Sequence, residues 1–233
     1  MPFLTRGNAK LGKDIWTFSL PSVDTCPGAS ALCKSVCYAA RYEKRWKSTR
    51  RKYELNLATF NVTDMVAEIK KVKPKVVRIH VSGDFYSVEY AEQWLEIVRS
   101  CPEVTFYAYT RSWAIGGKRD SILYVLSQME DEDNCTILWS VDPSMVGASK
   151  VDVSPLFNGG ANINRRVALL TPHGYSWGIN ASTGLLSWKP SKKLRVVDCP
   201  EMTGKSDSCS TCQLCFHRTL RKRHDIVINF PQH

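Results

Sequence analysis

The chain has 233 residues, with 32 lysines and arginines against 22 aspartates and glutamates, a net charge of +10. A hydrophobic content of 43%, including 7 Trp, 9 Tyr and 8 Phe, excludes a disordered tail protein. No run approaches the roughly 20 apolar residues that span a bilayer.

At this length a single core can form, burying roughly 70% of the unfolded surface. The first ten residues, MPFLTRGNAK, lack an apolar signal core. Export is not expected, and a cytoplasmic location is. Nine cysteines, an odd number in a reducing compartment, argue against a disulfide framework. Buried small side chains or metal ligands remain.

In chain order, IWTFSL at 15–20 predicts a strand closed by Pro21. A helical pattern follows Cys37, with Tyr38, Tyr42, Trp46, Tyr53, Leu57 and Phe60 forming one greasy face. Thr63 or Asp64 is placed to cap the next helix, which stops before Pro74. Strand–helix units come next. VVRIHV at 76–81 ends in Ser82, Gly83 and Asp84, and a helix covers 88–100. VTFYAY at 104–109 ends in Thr110 and Arg111, with a helix over about 118–129. TILWSV at 136–141 ends at Asp142, and RVALL at 166–170 leads to His173.

Between 144 and 164, and from 174 to 190, Gly, Asn and Ser replace helical patterning. Short strands are expected at 194–197 and 226–230. Alternating strands and helices imply parallel βαβ units. The expected fold is therefore α/β, a partial or split (βα) barrel over residues 1–190. An irregular cysteine-rich segment over 191–233 would pack on it.

The cysteines cluster. Cys26, Cys33 and Cys37 are separated by gaps of six and three residues, and the last two share one face of a helical turn. Three converging thiolates suit a four-iron cluster with one open iron. Structural zinc, which takes four protein ligands, is the alternative, with plain burial a third. Cys199, Cys209, Cys212 and Cys215 form a second set, with two consecutive two-residue gaps and Pro200 after the distant member. That spacing fits a ferredoxin-type cluster, with zinc again the alternative. A four-thiolate set of this kind is closed, hence structural or electron-transferring, and a redox role would require an electron donor. Cys101 and Cys135 stand alone at the edges of predicted strands, where burial is expected.

Basic segments at 41–52 and 218–224 flank both sets. They suit a solvated face, an offset to cluster charge, or DNA or RNA, with Tyr42, Trp46 and Trp113 as stacking rings. In parallel βα folds, chemistry gathers where strands end. Asp84, Arg111, Asp142 and His173 are thus candidate catalytic residues, and Ser82, Gly83, Asp84 and Thr110 candidate cofactor-binding ones. Turn and capping roles are the alternative for each.

NAKLG at 8–12, Leu20-Pro21, TCPGA at 25–29, CYA at 37–39, VSGDFY at 81–86 and FYAYTRSW at 106–113 carry a resemblance. With Cys209, Cys212, Cys215 and a terminal His233, they resemble the phage and plasmid proteins grouped as the gene-product-eighty-eight family. A remoter similarity is to radical SAM enzymes, whose three-cysteine loop follows the first barrel strand. In those enzymes a Gly-Gly-Glu-type motif ends the second strand, where this chain has Ser82-Gly83-Asp84. That resemblance implies S-adenosylmethionine on an open 4Fe-4S cluster. The chain departs from it in its cysteine gaps, six and three instead of three and two. An iron–sulfur enzyme that does not use S-adenosylmethionine is an equal expectation, and a non-catalytic nucleic-acid-binding protein stapled by clusters is the rival one.

Overall fold

The computed structural model describes residues 2–115, 121–145, 165–171, 195–220, 223 and 226–231. Eight strands form one sheet: β1 (Thr5–Arg6), β2 (Ile15–Phe18), β3 (Val76–Ile79), β4 (Thr105–Thr110), β5 (Cys135–Val141), β6 (Val167–Thr171), β7 (Arg195–Asp198) and β8 (Ile226–Pro231). Their spatial order is β1-β2-β3-β4-β5-β6-β8-β7. Among the described residues, the β1–β2 pairing is antiparallel and the other neighbours are parallel. The sheet is open among the described residues, with β1 and β7 at its edges, so the α/β class holds and these strands do not close into a barrel. The irregular C-terminal segment contributes β7 and β8 to the same sheet.

The helices are α1 (Ala31–Ser35), α2 (Tyr38–Arg45), α3 (Lys47–Thr59), α4 (Val62–Val72), α5 (Val88–Ser100), α6 (Ile122–Asp131) and α7 (Cys209–Cys212). Strand alternation divides the side chains between two faces. Phe18, Val77, Ile79, Phe106, Ala108, Ile137 and Trp139 pack with Met65, Ile69, Trp94, Val98, Leu126 and Met129 of α4, α5 and α6. The alternate residues Ile15, Tyr107, Leu138, Ala168 and Ile228 face the other way, against Leu11, Cys199 and Phe216. Burial on both sides explains why β5 is nearly continuously apolar. An aromatic cluster anchors the helical face: Phe60 stacks on Trp94 at 5.4 Å and meets Tyr90 at 5.1 Å. Such pairs contribute about 0.5–1.5 kcal/mol each beyond their buried area.

Several elements differ from expectation for identifiable reasons. The β3 strand ends at Ile79 instead of residue 81, because His80 takes a left-handed φ of 63°. The helix after Cys37 breaks at Trp46 into α2 and α3. Its greasy face is only partly a core face: Phe60 packs on the core and Tyr53 is half-buried, but Tyr38, Tyr42, Trp46 and Leu57 are exposed, while polar Glu43 and Asn56 are buried. Asn56 earns its burial by donating to the Phe3 and Ser19 carbonyls at 3.3 and 2.9 Å. The cap of α4 is Asn61, which accepts from the Asp64 N–H at 2.9 Å, and not Thr63 or Asp64. Trp113, expected as a stacking ring, is buried and donates to the Ser140 carbonyl at 3.2 Å. Cys101 and Cys135 are buried as expected, although Cys101 ends α5 instead of edging a strand. His173, His233, the start of the helix expected from 118, and most of the irregular stretches at 144–164 and 174–190 lie outside the described residues.

His80 is buried against Phe85 and Tyr90, its Nε2 2.7 Å from the Tyr90 hydroxyl. Burial, reinforced by the Arg78 charge, lowers its pKa to about 3. Below pH 6.5 the unfolded chain binds a proton that the folded chain refuses. Stability is therefore present above that pH and lost as pH falls toward 3, with a slope approaching about 1.4 kcal/mol per pH unit. In His80→Asn, denaturant titrations at pH 7 and pH 4.5 should show this slope reduced. An unchanged slope would contradict the assignment.

Candidate metal and ligand site

The first cysteine set lies in the loop that follows β2, at the end of the sheet where β3, β4 and β5 also finish. Pairing of the loop with strand ends fixes its position. The Leu20 N–H donates to the Ser82 carbonyl at 2.9 Å, and the Asp84 N–H to the Thr25 carbonyl at 3.0 Å. Gly83 has φ of 83°, and a Cβ there would stand 2.6 Å from the Leu20 Cβ, so only glycine fits. Gly28 meets the Arg111 backbone, where an added Cβ would come within 2.1 Å of the carbonyl oxygen.

The candidate strand-end residues converge into one buried network. Asp84 accepts from the Thr110 hydroxyl at 2.6 Å and from the Arg111 and Phe85 N–H groups, both at 2.8 Å. The Arg111 guanidinium pairs with Asp142. Asp142 also accepts from Ser30 at 2.6 Å and from the Ser144 N–H and hydroxyl at 2.9 and 2.5 Å. Ser30 is the N-cap of α1 and accepts from the Cys33 N–H at 3.0 Å, which ties the thiol's own backbone to Asp142. The Ser82 hydroxyl donates to buried Glu43 at 2.7 Å. Glu43 also accepts from the Ser22 N–H at 2.9 Å and pairs with Arg50 at 3.2 Å. Asp142, paired with Arg111, thus holds the loop through Ser30, while the Asp84, Thr110 and Ser82 side chains bond to other strand-end groups and to Glu43.

Burial pushes the Asp84 carboxyl above its ordinary value, although its hydrogen bonds oppose this. Burial also acts on Asp142, but there the Arg111 charge and the serine hydrogen bonds outweigh it and hold the carboxyl low. Burial raises the Cys26 thiol to about 12, with the Asp84 carboxylate and the Cys33 and Cys37 thiols adding to it. Cys33 is raised by burial, with the Arg111 charge acting in the opposite sense. Cys37 is the N-cap of α2, its sulfur accepting from the Ala40 N–H at 3.4 Å.

The second set gathers on the face opposite α4–α6. Cys199 follows β7, its N–H donating to the Asn229 carbonyl at 2.8 Å, while α7 carries Cys209 and Cys212. Backbone bonds from Cys209 to Lys10 and from Ser210 to Leu11, at 2.9 and 3.0 Å, dock α7 on the N-terminal loop. Buried Arg166 donates to the Leu214 carbonyl at 2.8 Å and also to that of Leu220, clamping the segment beyond. The Tyr109 hydroxyl donates to the Cys215 sulfur at 2.7 Å. Burial lifts Cys215 to about 12, with the other three thiols of the set adding to it, and lifts Cys209 to about 11, with the Arg78 charge opposing and Cys199 adding.

A cavity of about 530 Å³ opens on this face, lined by all four C-terminal cysteines and by Arg78, Tyr107 and Tyr109. Tyr38, Arg41 and Arg111 bring its wall to the first cysteine loop. The Arg78 guanidinium lies 4.9 Å from the Tyr109 ring, its Nε buried with no hydrogen-bond partner among the described residues. Among the described residues, no group of three or more His, Cys, Asp or Glu side chains stands close enough to hold a single metal ion. Of the second basic segment, Arg218 donates to the Pro102 carbonyl at 3.4 Å, and 221, 222 and 224 lie outside the described residues.

Four residues of this site were not expected. Ser30 carries a readable signal, a capping residue three before Cys33. Arg78 and Tyr109 are the inward alternates of strands otherwise read as apolar. Glu43 sits within a basic helix, and nothing local marks it as buried.

The Arg111–Asp142 pair yields a direct test. In Arg111→Met, Asp142 is left as an uncompensated buried charge, and urea titration should register a loss of about 3–5 kcal/mol. Adding Asp142→Asn should restore part of it. A single-variant loss below about 1 kcal/mol, the range of surface pairs, would contradict the buried network.

A family model described as Gene product 88 matches residues 2–218. The "Gene 88 protein" of Mycobacterium phage L5 is 32% identical over 161 residues, covering 62% of this chain and 64% of the phage protein. The "Gene 88 protein" of Mycobacterium phage D29 is 28% identical over 238 residues, covering 91% of this chain and 86% of that protein. No solved structure matches the chain. With nearly its whole length under the family model, the chain belongs to the Gene product 88 family.

Proposed function

We propose that the protein is an iron–sulfur protein with two four-iron clusters, one open and one closed, facing a common ligand cavity. The open cluster would rest on Cys26, Cys33 and Cys37, and the closed one on Cys199, Cys209, Cys212 and Cys215. The observation that carries this is the gathering of the thiols. The first three lie together in the stretch after β2, and the other four line the wall of one cavity.

The cysteine gaps along the chain, six and three in the first set and two consecutive gaps of two in the second, are the sequence feature that suits clusters over single ions. Thiolate-bound clusters carry negative charge, and Arg78, whose charge acts on Cys209, supplies an offset inside the cavity. The Tyr109 hydroxyl on Cys215 is the kind of sulfur hydrogen bond that tunes a cluster potential.

An open sheet with helices on one face and a cysteine loop after its first parallel strand fits a partial barrel of the radical-SAM type. S-adenosylmethionine is the ligand this reading assigns to the open iron, where reduction would supply radical chemistry. The chain's own residues hold the loop: Ser30, Asp84, Arg111 and Asp142 fix the backbone on which the three thiols are presented.

Anaerobic purification with iron and sulfide quantitation tests the reading. The wild type should be brown, with iron and sulfide in equal amounts. Cys33→Ala and Cys212→Ala should each lose about half of both, with circular dichroism confirming folded protein. Release of 5′-deoxyadenosine on reduction with S-adenosylmethionine is the expected activity. A colourless protein holding only zinc after reconstitution would overturn the proposal.

A further inference from the structure

The first turns after the cysteine loop present a surface that the cluster reading does not use. On α2 and its C-cap, Tyr38, Tyr42 and Trp46 recur every four residues and so lie along one helical stripe. Aromatic rings on such a stripe ordinarily face the core, yet these are 55%, 58% and 48% exposed. The Tyr42 and Trp46 rings stand 6.5 Å apart, and the Arg45 guanidinium lies 5.7 Å from the Trp46 ring.

The charge around the stripe has one sign. Between 38 and 47 the sequence carries Arg41, Lys44, Arg45 and Lys47 against a single acid, Glu43. Glu43 is turned inward, its oxygens taken by Ser22, Ser82 and Arg50. Arg41, Lys44, Arg45 and Lys47 make no ion pair among the described residues. At its N-terminal end the stripe reaches the cavity, whose wall includes Tyr38 and Arg41. The Tyr38 hydroxyl is fixed there by donating to the Val81 carbonyl at 2.7 Å.

We propose that this face binds single-stranded nucleic acid, with bases stacked on Tyr42 and Trp46, phosphates on the flanking cations, and the strand led toward the cavity mouth. Exposed rings interleaved with cations match a polymer that alternates π-faces with negative charge. The stripe is roughly 12 Å long, a platform for a few bases. A second copy of the chain, carrying the same +10 charge, is a poor occupant. So is the apolar side of a membrane, since the stripe offers no aliphatic side chain. The proposal is independent of the clusters: neither Tyr42 nor Trp46 belongs to a cysteine set.

Fluorescence anisotropy with labelled oligothymidine, a matching duplex and anionic lipid vesicles tests it on the full-length protein. The wild type should prefer the single strand and release it steeply as salt rises. Tyr42→Ala/Trp46→Ala, at exposed positions, should fold normally and keep its iron while binding roughly tenfold or more weakly. Arg41→Ala/Arg45→Ala should bind more weakly with a shallower salt dependence. Absence of oligonucleotide binding, equal or better binding of the duplex, unchanged affinity in the aromatic variant, or binding of vesicles alone would each overturn the proposal.

Discussion

A buried guanidinium between two buried carboxylate systems is the constraint on which the site depends. Arg111 offers its backbone N–H to Asp84 and its guanidinium to Asp142, and Asp142 takes a further donor, Ser30, from the loop that carries the first three cysteines. Burying these charges costs several kcal/mol unless their hydrogen bonds are complete. That requirement converts three strand ends and one irregular loop into a single fixed object. Without it, the stretch from Cys26 to Cys37 would hold only a five-residue helix and a few turns.

The opposite ends of the chain meet on the face that α4, α5 and α6 leave uncovered. Tyr107 stacks on Phe216 at 4.9 Å, and the N-terminal loop docks α7 by backbone hydrogen bonds. The consequence is a cavity whose walls come from residues distant in sequence, with thiols, tyrosines and arginines as its polar groups. Buried thiols with raised pKa values are poor nucleophiles in the protonated form.

Much of this was legible in the residues. Strand–helix alternation gave seven of the strands to within a few positions, and α5 is legible from its apolar spacing. Strand ends Asp84, Arg111 and Asp142 were picked out because parallel strands finish on a common side. Their role was harder to see, since saturation of a carboxylate depends on partners such as Ser30, 112 residues away from Asp142. The two-residue β1, the break at Trp46 and the inward turn of Glu43 had no periodic signal. The exposure of Tyr38, Tyr42 and Trp46 ran against periodicity itself: the burying face of α2 and α3 is polar, fixed by Glu43 and Asn56. A sheet's curvature and closure are likewise set by packing between distant strands, which local patterns do not record.

The most direct measurement is iron-edge X-ray absorption on protein prepared without oxygen. Iron surrounded by sulfur, with a short iron–iron vector that weakens in Cys33→Ala, is the predicted result. Iron ligated only by oxygen and nitrogen, or a spectrum unchanged when Cys33 is removed, would contradict the account.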